Sequence, residues 1–242
     1  MNRFPVLEIF GPTIQGEGMV VGRKTMFVRT AGCDYSCAWC DSAFTWDGSA
    51  KAEIQKMSAG EILGELQRIG GSHFDHVTIS GGNPALLRNL AELVDLLHQE
   101  GLEVALETQG SRWQDWFLQI DDLTISPKPP SSGMDTNWDM LDSIINRLSE
   151  KDRLFHTSLK VVIFNDEDLH YAEKVHKRYP GTAFFLQVGN ENLAENSTTN
   201  LTAILLDKYQ WLIDRVVNSQ TLNHVRVLPQ VHTLLWGNKR GV

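Results

Sequence analysis

Short Val- and Ile-rich runs alternate with amphipathic stretches of helical length from Thr25 almost to the C-terminus, and this alternation restricts the fold more than any other feature. The runs at 25–29, 77–80, 103–107, 123–126, 159–164 and 184–188 read as strands. The stretches at 58–69, 86–99, 113–119, 138–151, 167–178 and 201–217 read as helices. Ser58, with Glu61 three residues later, forms a capping box for the first helix, and Asn165 or Asp166 caps the fifth. Repeated strand–helix units imply parallel strands joined by right-handed crossovers. The strands show little alternation, as expected when both faces are covered. Six units fall short of the eight that close a full barrel. The expected fold is therefore α/β, a partial (β/α)6 barrel of parallel strands, with 225–228 as a short terminal strand.

In such folds ligands bind at the C-terminal strand ends. Residues from separate strands then share one rim: the cysteine loop, Gly81-Gly82, Glu107, Ser126-Pro127-Lys128 and Gln187. The chain has 242 residues and 42% hydrophobic content, enough for one sizeable core. The Pro-rich turn at 127–133 and the polar surface loop at 190–200 are too short to separate domains, so 1–242 is expected as a single domain. The net charge is −8, with acidic and basic residues interspersed. No basic face is available to neutralise phosphates, so nucleic acid is not an expected partner. The first ten residues contain no long apolar run, so no signal peptide is expected. The longest apolar stretches fall short of the roughly 20 residues that span a bilayer. The expectation is a cytoplasmic protein with no membrane partner.

All three cysteines of the chain, Cys33, Cys37 and Cys40, lie in one loop after the first parallel strand, with C-x3-C-x2-C spacing. An odd number in one loop does not make a disulfide framework. Structural zinc requires four ligands, and a fourth would have to come from elsewhere in the chain. A [4Fe–4S] cubane is usually held by four thiolates. Three thiolates leave one iron open to a small molecule. A [4Fe–4S] cluster is the preferred reading, with zinc or free thiols as alternatives. Gly81-Gly82-Asn83-Pro84 by itself is an ordinary turn.

The cysteine spacing and its place in the chain resemble the radical S-adenosylmethionine (SAM) superfamily, where the open iron binds SAM. Trp39, before the last cysteine, fits that pattern and otherwise reads as a packing residue. Gly81-Gly82-Asn83-Pro84 looks like the GGEP motif that holds the methionine amino group, with Asn83 in place of Glu. Segments 10–18 (FGPTIQGEG), 27–33 (FVRTAGC), 40–42 (CDS), 106–110 (LETQG) and 126–128 (SPK) sharpen the resemblance to the 7-carboxy-7-deazaguanine synthase family in its Bacillus-type form. The resemblance extends from Leu7 to Val242.

That resemblance implies a modified radical SAM core and a lyase reaction. The substrate would be 6-carboxy-5,6,7,8-tetrahydropterin, converted to 7-carboxy-7-deazaguanine with loss of ammonia, on the route to queuosine in tRNA. It also implies a Mg²⁺ requirement, a homodimer, and a flavodoxin-like or other one-electron reductant. Residue by residue, it implies that Trp39, Gly82, Asn83, Glu107, Ser126, Lys128 and Gln187 handle SAM and that Ser42 ligates Mg²⁺. Substrate would be held by Pro12, Thr13, Ile14, Gln15, Glu17, Arg29, Ser80, His232 and Val242. Arg29 suits the carboxylate, because a guanidinium pairs with it in a bidentate way. Gln15 and Glu17, with backbone groups at 12–14, suit the aminopyrimidinone edge. Taken alone, Gln15 and Glu17 read as a capped turn, Arg29 as a surface ion pair and Ser42 as an N-cap or turn serine. Two rival functions carry different expectations. A glycyl-radical activase shares the early Gln-Gly-Glu and would not turn over the pterin. An Fe–S carrier or zinc module would not bind SAM.

Overall fold

The structure is a computed structural model that describes residues 2–195 and 197–242. Among the described residues, nine strands form one sheet in the order β3-β1-β2-β4-β5-β6-β7-β8-β9. They are β1 (Phe4–Ile14), β2 (Lys24–Thr30), β3 (Gln55–Met57), β4 (His76–Gly81), β5 (Glu103–Thr108), β6 (Asp122–Ile125), β7 (Thr157–Ile163), β8 (Ala183–Val188) and β9 (Val225–Leu228). From β2 to β9 every neighbouring pair is parallel, as the strand–helix alternation requires. The helices are α1 (Ala59–Gly70), α2 (Ala91–Gln99), α3 (Trp138–Glu150), α4 (Asp166–Arg178), α5 (Thr198–Val217) and α6 (Val231–Trp236). Ser58 and Glu61 make the expected capping box, and Asn165 caps α4 through the Asp168 N–H.

Several local expectations are corrected. β1 and β3 add an antiparallel flank that the sequence did not announce. The β1 register shifts between Phe10 and Thr13, around Gly11-Pro12, so its period-two pattern is broken. The helix expected over 86–99 starts at Ala91, because Pro84 opens a separate 3-10 turn, Pro84–Leu86. The helix expected over 113–119 is a 3-10 turn, Asp115–Gln119, whose adjacent Trp116 and Phe117 both turn inward. The loop expected at the surface over 190–200 begins with buried Asn190, bonded to Asn238 at 2.8 Å, and ends inside α5; Asn196 lies outside the described residues.

The strands also alternate more than their composition suggested. Val77, Ile79, Leu106, Ile125, Leu159 and Val161 belong to the main apolar core, with Ile62 and Leu66 of α1, Leu93 and Leu97 of α2, and Ile144 and Leu148 of α3. The intervening positions are Ser80, Glu107, Thr124, Ser126, Ser158 and Lys160. Register keeps them on one face: Arg29 pairs with Ser80, Glu107 with Thr124, and Thr124 with Ser158. One face of the sheet thus binds helices by apolar burial, and the other presents polar groups to a cavity. The segment between β1 and β2 lies across this polar face. Its Gly18 approaches β6 so closely that a side chain there would meet Thr124 Oγ1 at 3.2 Å. Among the described residues, no helix is long and apolar enough to cross a membrane.

Candidate active site

A cavity of about 420 Å³ opens at the C-terminal ends of the parallel strands, and all three cysteines line it. Cys37 is buried, and Cys33 and Cys40 are half-buried. Burial pushes all three thiols up, Cys37 to about 11. Three adjacent thiolates therefore need strong positive charge beside them, which iron supplies. Donors already point at the sulfurs: the Trp46 indole N–H reaches Cys40 Sγ at 3.4 Å, and the Gln109 amide reaches Cys33 Sγ at 3.7 Å. Three soft ligands in one loop, facing one cavity with N–H donors around them, fit a [4Fe–4S] cluster.

Next to the loop, β4 ends at Gly81-Gly82. A side chain on Gly82 would sit 2.1 Å from the Gly32 carbonyl oxygen, so only glycine lets this backbone run against the cysteine loop. Gly82 lines the cavity, and Asn83 does not. The Asn83 amide is fully engaged inside: it donates to Asp34 at 2.8 Å and Ser111 at 2.9 Å, and accepts from Thr108 at 2.8 Å and the Ala85 N–H at 3.1 Å. An amide oxygen and NH2 have about four bonds to offer, so none remains for a ligand. Ser126 and Lys128 line the same side, with the ammonium 3.3 Å from the hydroxyl. Trp39 donates to Ser131 at 2.9 Å and lies against Phe164. Gln187 faces away from solvent completely, outside the cavity lining, with both amide atoms unpartnered.

In the same cavity, Arg29 is clamped. Its Nε lies 2.9 Å from Glu8 Oε1, its Nη1 donates to Ser42 Oγ at 2.9 Å, and the rings of Phe10 and Phe44 each lie 5.4 Å from it. Ser42 also donates to Asp41 at 3.0 Å and makes no helix-capping bond, which removes the capping reading. The two oxygens, hydroxyl and carboxylate, are hard donors of the kind Mg²⁺ takes. Ligand atoms of Asp41, Glu17 and His232 lie within 4.8 Å of one another.

Glu17 is the centre of a buried charge network. It pairs with Lys160, accepts from Gln230 at 2.9 Å and lies 3.9 Å from His232. Burial alone would raise its carboxyl, but Lys160, with His232 and Gln230 behind it, holds it well below the usual range. Lys160 also approaches Glu107 at 3.8 Å, and Gln15 donates to Glu107 at 3.3 Å. Glu107 is raised, chiefly by burial. Burial would lower Lys160, yet the two carboxylates hold it above the ordinary lysine range.

Of the residues anticipated from sequence, Ile14, Gln15, Glu17, Arg29, Ser42, Ser80, Glu107, Ser126, Lys128, His232 and Val242 meet at this cavity with Trp39, Gly82 and the cysteines. Pro12, Thr13, Asn83 and Gln187 do not line it. Sequence reading missed Lys160 and Gln230. Lys160 had a legible signal, a lysine set between Leu159 and Val161-Val162-Ile163 in a strand with no other charge.

Residues 27–154 match the Radical SAM superfamily. The chain is 62% identical to a 7-carboxy-7-deazaguanine synthase of Bacillus cereus over all of both chains. It is 66% identical to one of Bacillus subtilis over 98% of each. The crystal structure of QueE from Escherichia coli superposes with a TM-score of 0.68 at 22% identity, covering 95% of both chains, and shares the fold. The family match over residues 27–154, with 62% and 66% identity over all or nearly all of the two Bacillus proteins, places the chain in the radical SAM superfamily and, within it, in the 7-carboxy-7-deazaguanine synthase family.

Proposed function

We propose that the protein converts 6-carboxy-5,6,7,8-tetrahydropterin to 7-carboxy-7-deazaguanine with loss of ammonia. The observation that carries this reading is the meeting, in one cavity, of three clustered cysteines with a clamped arginine and a buried carboxylate network. Cys33, Cys37 and Cys40 would hold the cluster, which together with SAM would supply one-electron radical chemistry for hydrogen abstraction.

The protein's own task is to bind, orient and exclude water. Gly82, Ser126, Lys128 and Glu107 border the SAM side, with Trp39 backing it. Arg29 pairs with the substrate carboxylate in a fork geometry. Glu17 stays ionised and accepts from the amino and ring N–H groups of the pyrimidinone, with Gln15 beside it. Ile14 supplies an apolar edge, Ser80 a hydroxyl, and His232 and Val242 close the cavity from the C-terminal side. Ser42 and Asp41 would hold Mg²⁺, with substrate oxygen and water completing the shell. Asn83 acts indirectly, by fixing Asp34 of the cysteine loop. A homodimer and a flavodoxin-like reductant belong to the same proposal.

The test is anaerobic reconstitution with iron and sulfide, then assay with the carboxylated tetrahydropterin, SAM and a one-electron reductant. Formation of 7-carboxy-7-deazaguanine, identified by absorbance and mass, is expected. Replacing Cys33, Cys37 or Cys40 with Ala should abolish it together with reductive SAM cleavage. SAM cleavage without product from the pterin would overturn the substrate, and wild-type cleavage in any cysteine variant would overturn the cluster.

A further inference from the structure

The buried Lys160 has no place in the reading above, yet it touches both halves of the site. Its side chain is 5% exposed, and its ammonium pairs with Glu17 and lies 3.8 Å from Glu107. Gln15 links the same two residues a second time: its amide donates to the Glu107 carboxylate at 3.3 Å and its carbonyl accepts from the Glu17 backbone N–H at 3.2 Å. Glu17 comes from the segment between β1 and β2, Glu107 from β5 and Lys160 from β7. Three separate parts of the fold thus converge on one cation.

We propose that Lys160 is a positioning residue that couples the pterin and SAM subsites. The inference rests on the assignment of Glu17 to the pterin and Glu107 to SAM. Each carboxylate must hold one orientation to accept hydrogen bonds from its ligand. A single compact ammonium, with three donors and little solvent, ties both orientations together. When one ligand fixes its carboxylate, it fixes Lys160, and through it the other carboxylate. The second ligand then finds an ordered partner and binds more tightly. By thermodynamic necessity the gain is the same whichever ligand comes first.

Removing the lysine should therefore abolish the coupling and not merely weaken each ligand. The experiment uses anaerobic, cluster-loaded protein and measures the SAM dissociation constant with and without saturating carboxylated tetrahydropterin, omitting reductant. In the wild type the pterin should tighten SAM by at least about fivefold, the low end of typical couplings. In Lys160→Met the ratio should fall to about one. A lysine that only supports the fold would weaken both binding steps and leave the ratio unchanged, and that outcome overturns the proposal. If Lys160→Met does not fold, Lys160→Arg carries the test. It keeps the buried charge but replaces a compact ammonium with a wide planar fork, so the ratio should fall at least twofold; a wild-type ratio overturns the proposal. Wild-type protein that makes no product from the pterin overturns the functional assignment itself. Wild-type product with an unchanged ratio in the variants overturns only the role of Lys160.

Discussion

The Arg29 guanidinium donates to the Ser42 hydroxyl across 2.9 Å, so the residue assigned to the substrate carboxylate and the residue assigned to the metal are already in contact. Glu8 holds the opposite edge of the guanidinium, and Phe10 and Phe44 flank it. The arginine is thus oriented before any ligand arrives. In the proposed reading, a carboxylate paired with Arg29 would lie beside Ser42, which ties the anion site to the metal site.

Arg29→Lys tests the fork. Lysine keeps the charge but presents a point donor that cannot bridge Glu8 and Ser42 together. Pterin binding should weaken by about 1.5–3 kcal/mol, the range for hydrogen bonds to charged groups, or roughly ten- to a hundredfold in Kd. Anaerobic titration measures it, and unchanged affinity removes Arg29 from the site.

Ser42→Ala tests the metal. The hydroxyl is a weak ligand by itself, so Mg²⁺ should bind well only when the substrate carboxylate completes its shell. Mg²⁺ and substrate should each raise the other's affinity. The Ala variant should lose most Mg²⁺ stimulation of turnover while its Fe–S absorbance stays intact, and Ser42→Thr should keep it. Full stimulation in the Ala variant would leave Asp41 as the protein ligand.

Trp46→Phe tests the sulfur contacts. An N–H donor to Cys40 Sγ favours the more negative, reduced cluster. Removing one hydrogen bond worth about 0.5–1.5 kcal/mol corresponds to roughly 20–60 mV for one electron. The midpoint should fall by that amount in an EPR-monitored redox titration, with ring packing kept by Phe. A midpoint at or above the wild-type value would show that the contact does not tune the cluster.

The parallel strands and most of the rim were legible because alternation, turn residues and cysteine spacing are local signals. The antiparallel β1 was not, because its register shifts between Val6 and Glu8 and again at Gly11-Pro12, which breaks the period-two pattern a strand shows in sequence. The setting of the Asn83 side chain was not legible, for a related reason. Its position beside Gly82 suggested a ligand contact, but Asp34, Ser111 and Thr108 arrive only through the fold and saturate its amide. Gln230 was invisible for the same cause, since its bond to Glu17 spans nearly the whole chain.

His76 predicts an acid-sensitive fold. It is fully buried, with Nδ1 at 2.8 Å from Thr25 Oγ1 and Nε2 without a hydrogen-bond partner. Burial, helped by Arg23, lowers it from 6.5 to about 4. The unfolded chain takes up this proton first, so stability should fall as pH drops from about 6.5 towards 4. At about 1.4 kcal/mol per unit, the loss from this group is at most about 3 kcal/mol. Urea unfolding at pH 7 and pH 4.5 should show a smaller acid loss in His76→Gln than in wild type. Equal losses would mean that other groups control the acid limb.

The C-terminal tail predicts a salt-sensitive closure. Arg240 reaches Glu8 Oε2 and Glu53 Oε2, each at 2.8 Å, and its guanidinium lies 4.1 Å over the Phe44 ring. Two residues further on, Val242 lines the cavity. Glu8 therefore gives one oxygen to Arg29 and the other to Arg240, so the clamp on the anion site also anchors the tail. The Arg240 side chain is 33% exposed, so each contact is partly screened. Partly exposed ion pairs and a cation–π contact are worth on the order of 0.5–1 kcal/mol each. Arg240→Ala should then cost about 1.5–3 kcal/mol of closure, or roughly ten- to a hundredfold in pterin Kd. SAM affinity without pterin should stay unchanged. Glu8→Gln should be worse, because it loosens both arginines at once. Pterin affinity should fall with rising ionic strength in the wild type and less steeply in Arg240→Ala. An Arg240→Ala protein with wild-type affinity and salt slope would mean that the tail is held over the cavity by Asn238 and α6 alone.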